Sequence, residues 1–270
     1  MTTLALTPTA APTQGSRLRR FVSLVRAETT ILLRNRTAIF TAVALPLVMA
    51  FAFSSFSIDG MSLGAVLTMM LICTSLLFVV YFTLVTSLVA RREQHTLKRL
   101  FAGEPTPLEI LLAPAVPLWG LLVIQSLLGV VGAVLLGTSI AHPAALVLAV
   151  VGGTTAWTAL AVISASWTRT VESAQLTTMP LMMVSILFSG FSIPLEFLPE
   201  MLQTVAHWLP MTPVIDLVTL AYACTGIDGT AVVGIAGFGA AALQMLLPLA
   251  FWTAAAMWLG LRTFRWDARS

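Results

Sequence analysis

The chain is predicted to be an all-α membrane protein with six transmembrane helices. Three observations carry that expectation. Of its 270 residues 58% are hydrophobic and only 9% charged; the stretches 60–90 and 110–167 contain no charged residue at all; and the cations cluster between apolar runs. A soluble globular domain carries about 25% charged residues. A helix needs ~20 apolar residues to cross a hydrocarbon core about 30 Å thick, because each backbone group left unpaired in lipid costs several kcal/mol.

Residues 1–16, rich in Thr, Ala and Pro, read as a disordered tail, and 17–270 as one transmembrane domain. From 17 to 36, Leu18, Phe21, Val22, Val25 and Leu32 recur at helical spacing opposite Arg20, Arg26 and Arg34. With Arg36, these arginines suit a helix lying on the inner leaflet, anchored at anionic headgroups. Spans are expected at about 39–56, 61–90, 111–136, 144–167, 176–191 and 231–261. The second, about 30 residues and ~45 Å long as a helix, must tilt or project beyond the bilayer.

Charge placement tests this count. With six spans all 14 Lys and Arg residues fall on one face, while Asp59, Glu196, Glu200, Asp216 and Asp228 lie opposite without a basic neighbour. The positive-inside rule then places both termini in the cytoplasm of a multi-pass plasma-membrane protein. The apolar stretch 213–224 is too short to cross, so 194–224 is expected to be re-entrant on the outer side.

Between spans two and three lies a charged island, Arg91 to Leu100 running on to Glu109. A short helix at about 92–102 presents an apolar edge of Leu97, Leu100 and Phe101, with Arg92, Glu93 and Thr96 beside it. Gly103, Pro105 and Pro107 stop it, and Thr106 to Glu109 starts the next helix with a capping box. The loop 168–173 offers a smaller contact on the same face. Cys73 and Cys224, at mismatched depths, are expected to be unpaired small apolar residues.

Catalytic signatures are absent. The one lysine, Lys98, is followed by Arg99, so there is no phosphate-cradling Gly-x4-Gly-Lys, and His95, His142 and His207 are too scattered to suggest a metal site. The spans hold no interior charge of the kind ion-coupled carriers use. They do hold Thr68, Ser75, Thr83, Thr178, Met182, Ser185 and Ser189, candidates for an amphipathic cavity in spans two and five. Gly190, Pro194, Pro199, Pro210, Pro213 and Asp216 mark turns of an outer gate.

In this order the elements resemble the ABC-2 type permeases, membrane subunits of ATP-driven drug, lipid or polysaccharide exporters. Three stretches carry the likeness: Arg26-Ala-Glu28 through Arg34-Asn-Arg36; Arg92 to Leu100 with Pro105, Pro107, Leu108 and Glu109; and Ser189-Gly190, Pro194-Leu195-Glu196, Leu198-Pro199, Leu209-Pro210, Pro213 and Asp216. Two positions depart from the family pattern: His95 stands where glycine is usual, and no arginine follows Asp216. The resemblance implies a coupling helix in the charged island that docks on a separate ATPase subunit carrying ATP and Mg. It also implies a dimer, with a second copy or a related permease, and a path beside spans two and five. The chain itself would then be non-catalytic and cofactor-free, with lipid and no nucleic acid around it. A stand-alone secondary carrier and an intramembrane enzyme are the rival readings.

Overall fold

In a computed structural model, residues 14–34, 40, 43–44, 46–48, 52, 61–94, 96–97, 105–191, 195, 198–227 and 229–264 are described. Most of the expected first span, 39–56, therefore lies outside the described residues, as do Arg36, Leu100, Phe101 and Pro194. The protein is an all-α membrane protein: among the described residues five helices are long and apolar enough to cross a bilayer.

Helix α1 is Gln14–Arg34. Helix α2, Leu63–Glu93, is the buried centre of the bundle. The Ser62 side chain caps its start by accepting from the Ala65 amide, and its middle, Ser75–Phe82, is π-helical. Short α3, Pro107–Leu112, opens with the expected box: Thr106 accepts from the Glu109 amide at 3.3 Å and Glu109 from the Thr106 amide at 2.8 Å. Helices α4, Ala115–Leu135, and α5, Pro143–Trp167, follow, α5 with Pro in its first turn where a missing N–H costs nothing. Helix α6, Val171–Phe188, starts before the expected 176, because Thr170 and Ser173 form a second capping box. Short α7, Glu200–Ala206, and α8, Thr212–Ala223, lead to α9, Gly234–Thr263.

Small residues let these helices close on one another, since lipid supplies no hydrophobic drive for helix association. A Cβ on Gly64 would stand 2.6 Å from the Ala133 backbone, and one on Gly129 3.0 Å from that of Thr68, so α2 and α4 touch nearly backbone to backbone. Gly153 admits Leu76 of α2 and Val214 of α8, and Gly260 admits Val162 of α5. Buried polar pairs cross the same interfaces: Ser75 donates to Gln125, Trp119 Nε1 to Thr158 at 2.9 Å, and the Tyr81 and Ser164 hydroxyls share a bond of 2.9 Å. Each such bond contributes about 0.6 kcal/mol inside a membrane protein. Cys73 and Cys224 are both free, as expected.

Candidate coupling site and cavity

Three consecutive residues at the end of α2 fasten three other elements. Successive side chains of a helix point about 100° apart, so Arg91, Arg92 and Glu93 leave α2 in different directions. Arg91 forms a two-pronged ion pair with Glu28 of α1. Arg92, only 1% exposed, donates to the carbonyls of Ala165 at 2.9 Å, Thr168, and Arg169 at 3.4 Å. Those carbonyls belong to the end of α5 and the turn beyond it, where helical partners run out and the helix dipole favours a cation. Glu93 accepts from the amide of Val171 at 3.2 Å, the first residue of α6, where the dipole favours an anion. One turn of α2 thus closes the end of α5, the start of α6 and the side of α1.

This placement changes the expected roles. Arg92 and Leu97, read as surface residues of the island, are both buried: Leu97 is 0% exposed and packs into the core. An aspartate at position 97 would therefore disturb packing before it disturbed a partner. Thr96 and Leu97 are helical, and Thr96 lines a cavity. Reversing the ion pair tests its strength. Glu28→Arg or Arg91→Glu alone is expected to lower the melting temperature in detergent, and the double exchange to recover most of the loss. The coupling should be about 1–3 kcal/mol, because both side chains are largely buried. Strictly additive losses across the four proteins would show that the pair contributes nothing.

The cavity, about 590 Å³, opens between α1, the last turns of α2 and the start of α4. Ile31, Leu32 and Leu118 make its apolar wall; Thr83, Thr86, Ser87 and Gln94 face them, with the Glu28–Arg91 pair at the rim. Thr83 donates to the Phe78 carbonyl at 2.8 Å, and Thr86 lies 3.1 Å from that of Phe82. With their hydrogens committed to the backbone, these hydroxyls offer lone pairs to whatever enters.

Of the proposed cavity residues Thr83 alone lines this space. Thr68, Ser75, Thr178, Ser185 and Ser189 are 0% exposed and Met182 8%. Thr68 bonds the Tyr222 hydroxyl at 3.0 Å, Thr178 the Ala174 carbonyl at 2.8 Å, and Ser189 the Ser185 carbonyl. Thr68 and Ser75 thus join α2 to α8 and α4, whereas Thr178 and Ser189 bond back within their own helix and its cap. Thr86 and Ser87 were missed, although Thr83 and Ser87 stand one turn apart on a helix and mark the polar stripe that ends there.

The outer elements form a hairpin. Gly190 turns the chain at φ 83°, Pro199 precedes α7, and Pro210 and Pro213 bracket the turn into α8. The Trp208 carbonyl in that turn accepts from Trp252 Nε1 at 2.6 Å. At one end α8 meets Gly153, in mid-α5; at the other its Ala221 carbonyl accepts from the amides of Ala141 and His142, which precede α5. It therefore covers only part of α5. Leu202 and Val205 of α7 are 43% and 58% exposed, and Ala206 is the residue that α7 buries. Asp216 lies 3.9 Å from His207 Nδ1. Burial pushes its carboxyl above the ordinary range, and the bond to His207 pulls it back. On α1, Arg26 and Arg34 are exposed and Arg20 half-buried, beside the exposed apolar Leu18, Val22, Ile31 and Leu33. Among the described residues no cluster of potential metal ligands occurs.

No curated protein matches the chain. A family model described as ABC-2 type transporter matches residues 19–223, from α1 through the α2 end and its cavity to the last residue of α8. Because that match covers well over half of the sequence, the chain belongs to the ABC-2 type transporter family.

Proposed function

We propose that the protein is the permease subunit of an ATP-driven exporter, moving a hydrophobic or amphipathic molecule, such as a drug, a lipid or a lipid-linked glycan, out of the cytoplasm. One observation carries the reading: the charged island emerges from a turn of α2 that grips α1, α5 and α6 at once. A force applied at that turn reaches three helices at once. The 590 Å³ cavity beside that turn, mostly apolar with hydroxyls and one ion pair in its lining, suits an amphiphile collected at the inner leaflet.

Fuel comes from elsewhere in this reading. Within these 270 residues no Gly-x4-Gly-Lys occurs, so ATP and Mg sit on a separate ATPase subunit that docks at 92–102, and Glu93, Thr96, Leu97, Leu100 and Phe101 shape that docking helix. Two permeases, identical or related, enclose the path. Both termini and the island face the cytoplasm, and 194–224 forms the outer gate with Pro194 at its start.

Affinity purification from native membranes tests the proposal. A soluble subunit bearing a P-loop is expected to accompany the chain, and transport in vesicles should stop when that subunit's ATP is withheld. Transport that persists without an ATPase and collapses with the ion gradient would replace this reading with a secondary carrier.

A further inference from the structure

A second site lies on the far side of α2 from the polar cavity. Helix α6 packs inward through Ala174, Thr178, Met182 and Ser185, and α9 lies against α5 through Gly152 and Gly260. Pro180 in mid-α6 has no N–H to continue the helical ladder, and its ring occupies the space of the preceding turn. Between α5, α6 and α9 a crevice of about 390 Å³ is left, reached from the side of the bundle. That volume falls within the ~300–1,000 Å³ of small-molecule sites, which are mostly apolar with a few placed polar groups.

The lining has that character. Leu160, Leu181, Trp252 and Ala256 form apolar walls, and the polar groups Tyr81 and Ser164 sit at its base. Their hydroxyls share one bond of 2.9 Å. Two hydroxyls own two hydrogens, and a single bond between them consumes one. The second hydrogen is available to an acceptor, and beside buried Tyr81 and Ser164 an unmade bond is costly. The Trp252 N–H is directed elsewhere, to the Trp208 carbonyl. No charged side chain lines the crevice.

The geometry points to a lateral binding site for an uncharged apolar molecule that carries one oxygen acceptor, an ester, ketone or ether, and arrives from within the bilayer. The chain alone forms it, so it stands independently of the proposed ATPase partner.

Photolabelling in lipid nanodiscs tests the site. The probe is the methyl ester of a long-chain fatty acid bearing a diazirine, compared with a diazirine hydrocarbon of equal length. Labelling by the ester is expected to saturate and to concentrate on 160–167, 177–181 and 252–259. Unlabelled ester should compete about threefold better than unlabelled hydrocarbon, the worth of one hydrogen bond inside a membrane protein. In Tyr81→Phe/Ser164→Ala, which removes both hydroxyls and leaves no orphan, that preference should vanish while labelling persists. Ala255→Trp, on the crevice wall, should abolish saturable labelling in protein that still elutes as a single species. Labelling that never saturates and follows exposure, falling on Leu135 and Ile235 as readily as on the crevice, would overturn the proposal. An ester preference unchanged in the double variant would overturn it equally. With the ATPase present, labelling that drops during ATP turnover identifies the occupant as cargo, and labelling that does not identifies a resident lipid; the site stands in both cases.

Discussion

Arg92→Met is expected to destabilise the protein by about 2–4 kcal/mol, read as a fall in melting temperature in detergent. The guanidinium is buried and donates to carbonyls of Ala165, Thr168 and Arg169, which end one helix and lead into the next. Methionine fills comparable space but leaves those oxygens buried without a donor. It also removes the positive charge that the end of α5 favours. Arg92→Lys should recover only part of the loss, because a compact ammonium cannot reach separated carbonyls as a planar fork does. Amide exchange over 168–173 should quicken in both variants, while exchange in α4, which Arg92 does not touch, should hold. A wild-type melting temperature for Arg92→Met would show that the turn after α5 holds itself.

Gly64→Leu is expected to impair folding, and Gly120→Leu to be harmless. At Gly64 a Cβ would lie 2.6 Å from both the Cα of Ala133 and the Thr138 hydroxyl oxygen. The first of these is backbone and cannot rotate away. Relieving the clash means prising α2 from α4, at a cost of at least about 1–3 kcal/mol, and it also strains the 3.0 Å bond from Thr138 to the Ser62 cap. Gly120 has nothing within 4 Å of its would-be Cβ. Gel filtration of the two variants in mild detergent should separate them: aggregate for Gly64→Leu, a single peak for Gly120→Leu. Equal behaviour would mean that α2 and α4 are free to shift apart.

The order of the helices was legible because the signals were local. The apolar run after Ser62, the capping box at Thr106 and Glu109, and Pro143 at the head of α5 each name a boundary by their own chemistry. The start of α6 was misjudged because Thr170 and Ser173 cap it with a hydroxyl where the usual box has Glu or Gln. Side-chain destinations were less legible. Arg91, Arg92 and Glu93 look alike as an exposed cluster, yet each finds a partner far away in sequence, at Glu28, Ala165 and Val171. Hydroxyls in spans posed the same difficulty: only three-dimensional packing separates Thr83, on a cavity, from Thr68, against Tyr222.

The π-helical stretch Ser75–Phe82 bears on how the two halves of α2 are aligned. Its wider turns advance the chain through a smaller angle per residue than the ~100° of an α-helix. Everything beyond Phe82 is thereby wound to a bearing that an unbroken α-helix of equal length would miss. That offset aims three neighbouring side chains at three separate targets, much as the cut of a key sets which pins it lifts. The midpoint of α2 thus determines what its far end can hold.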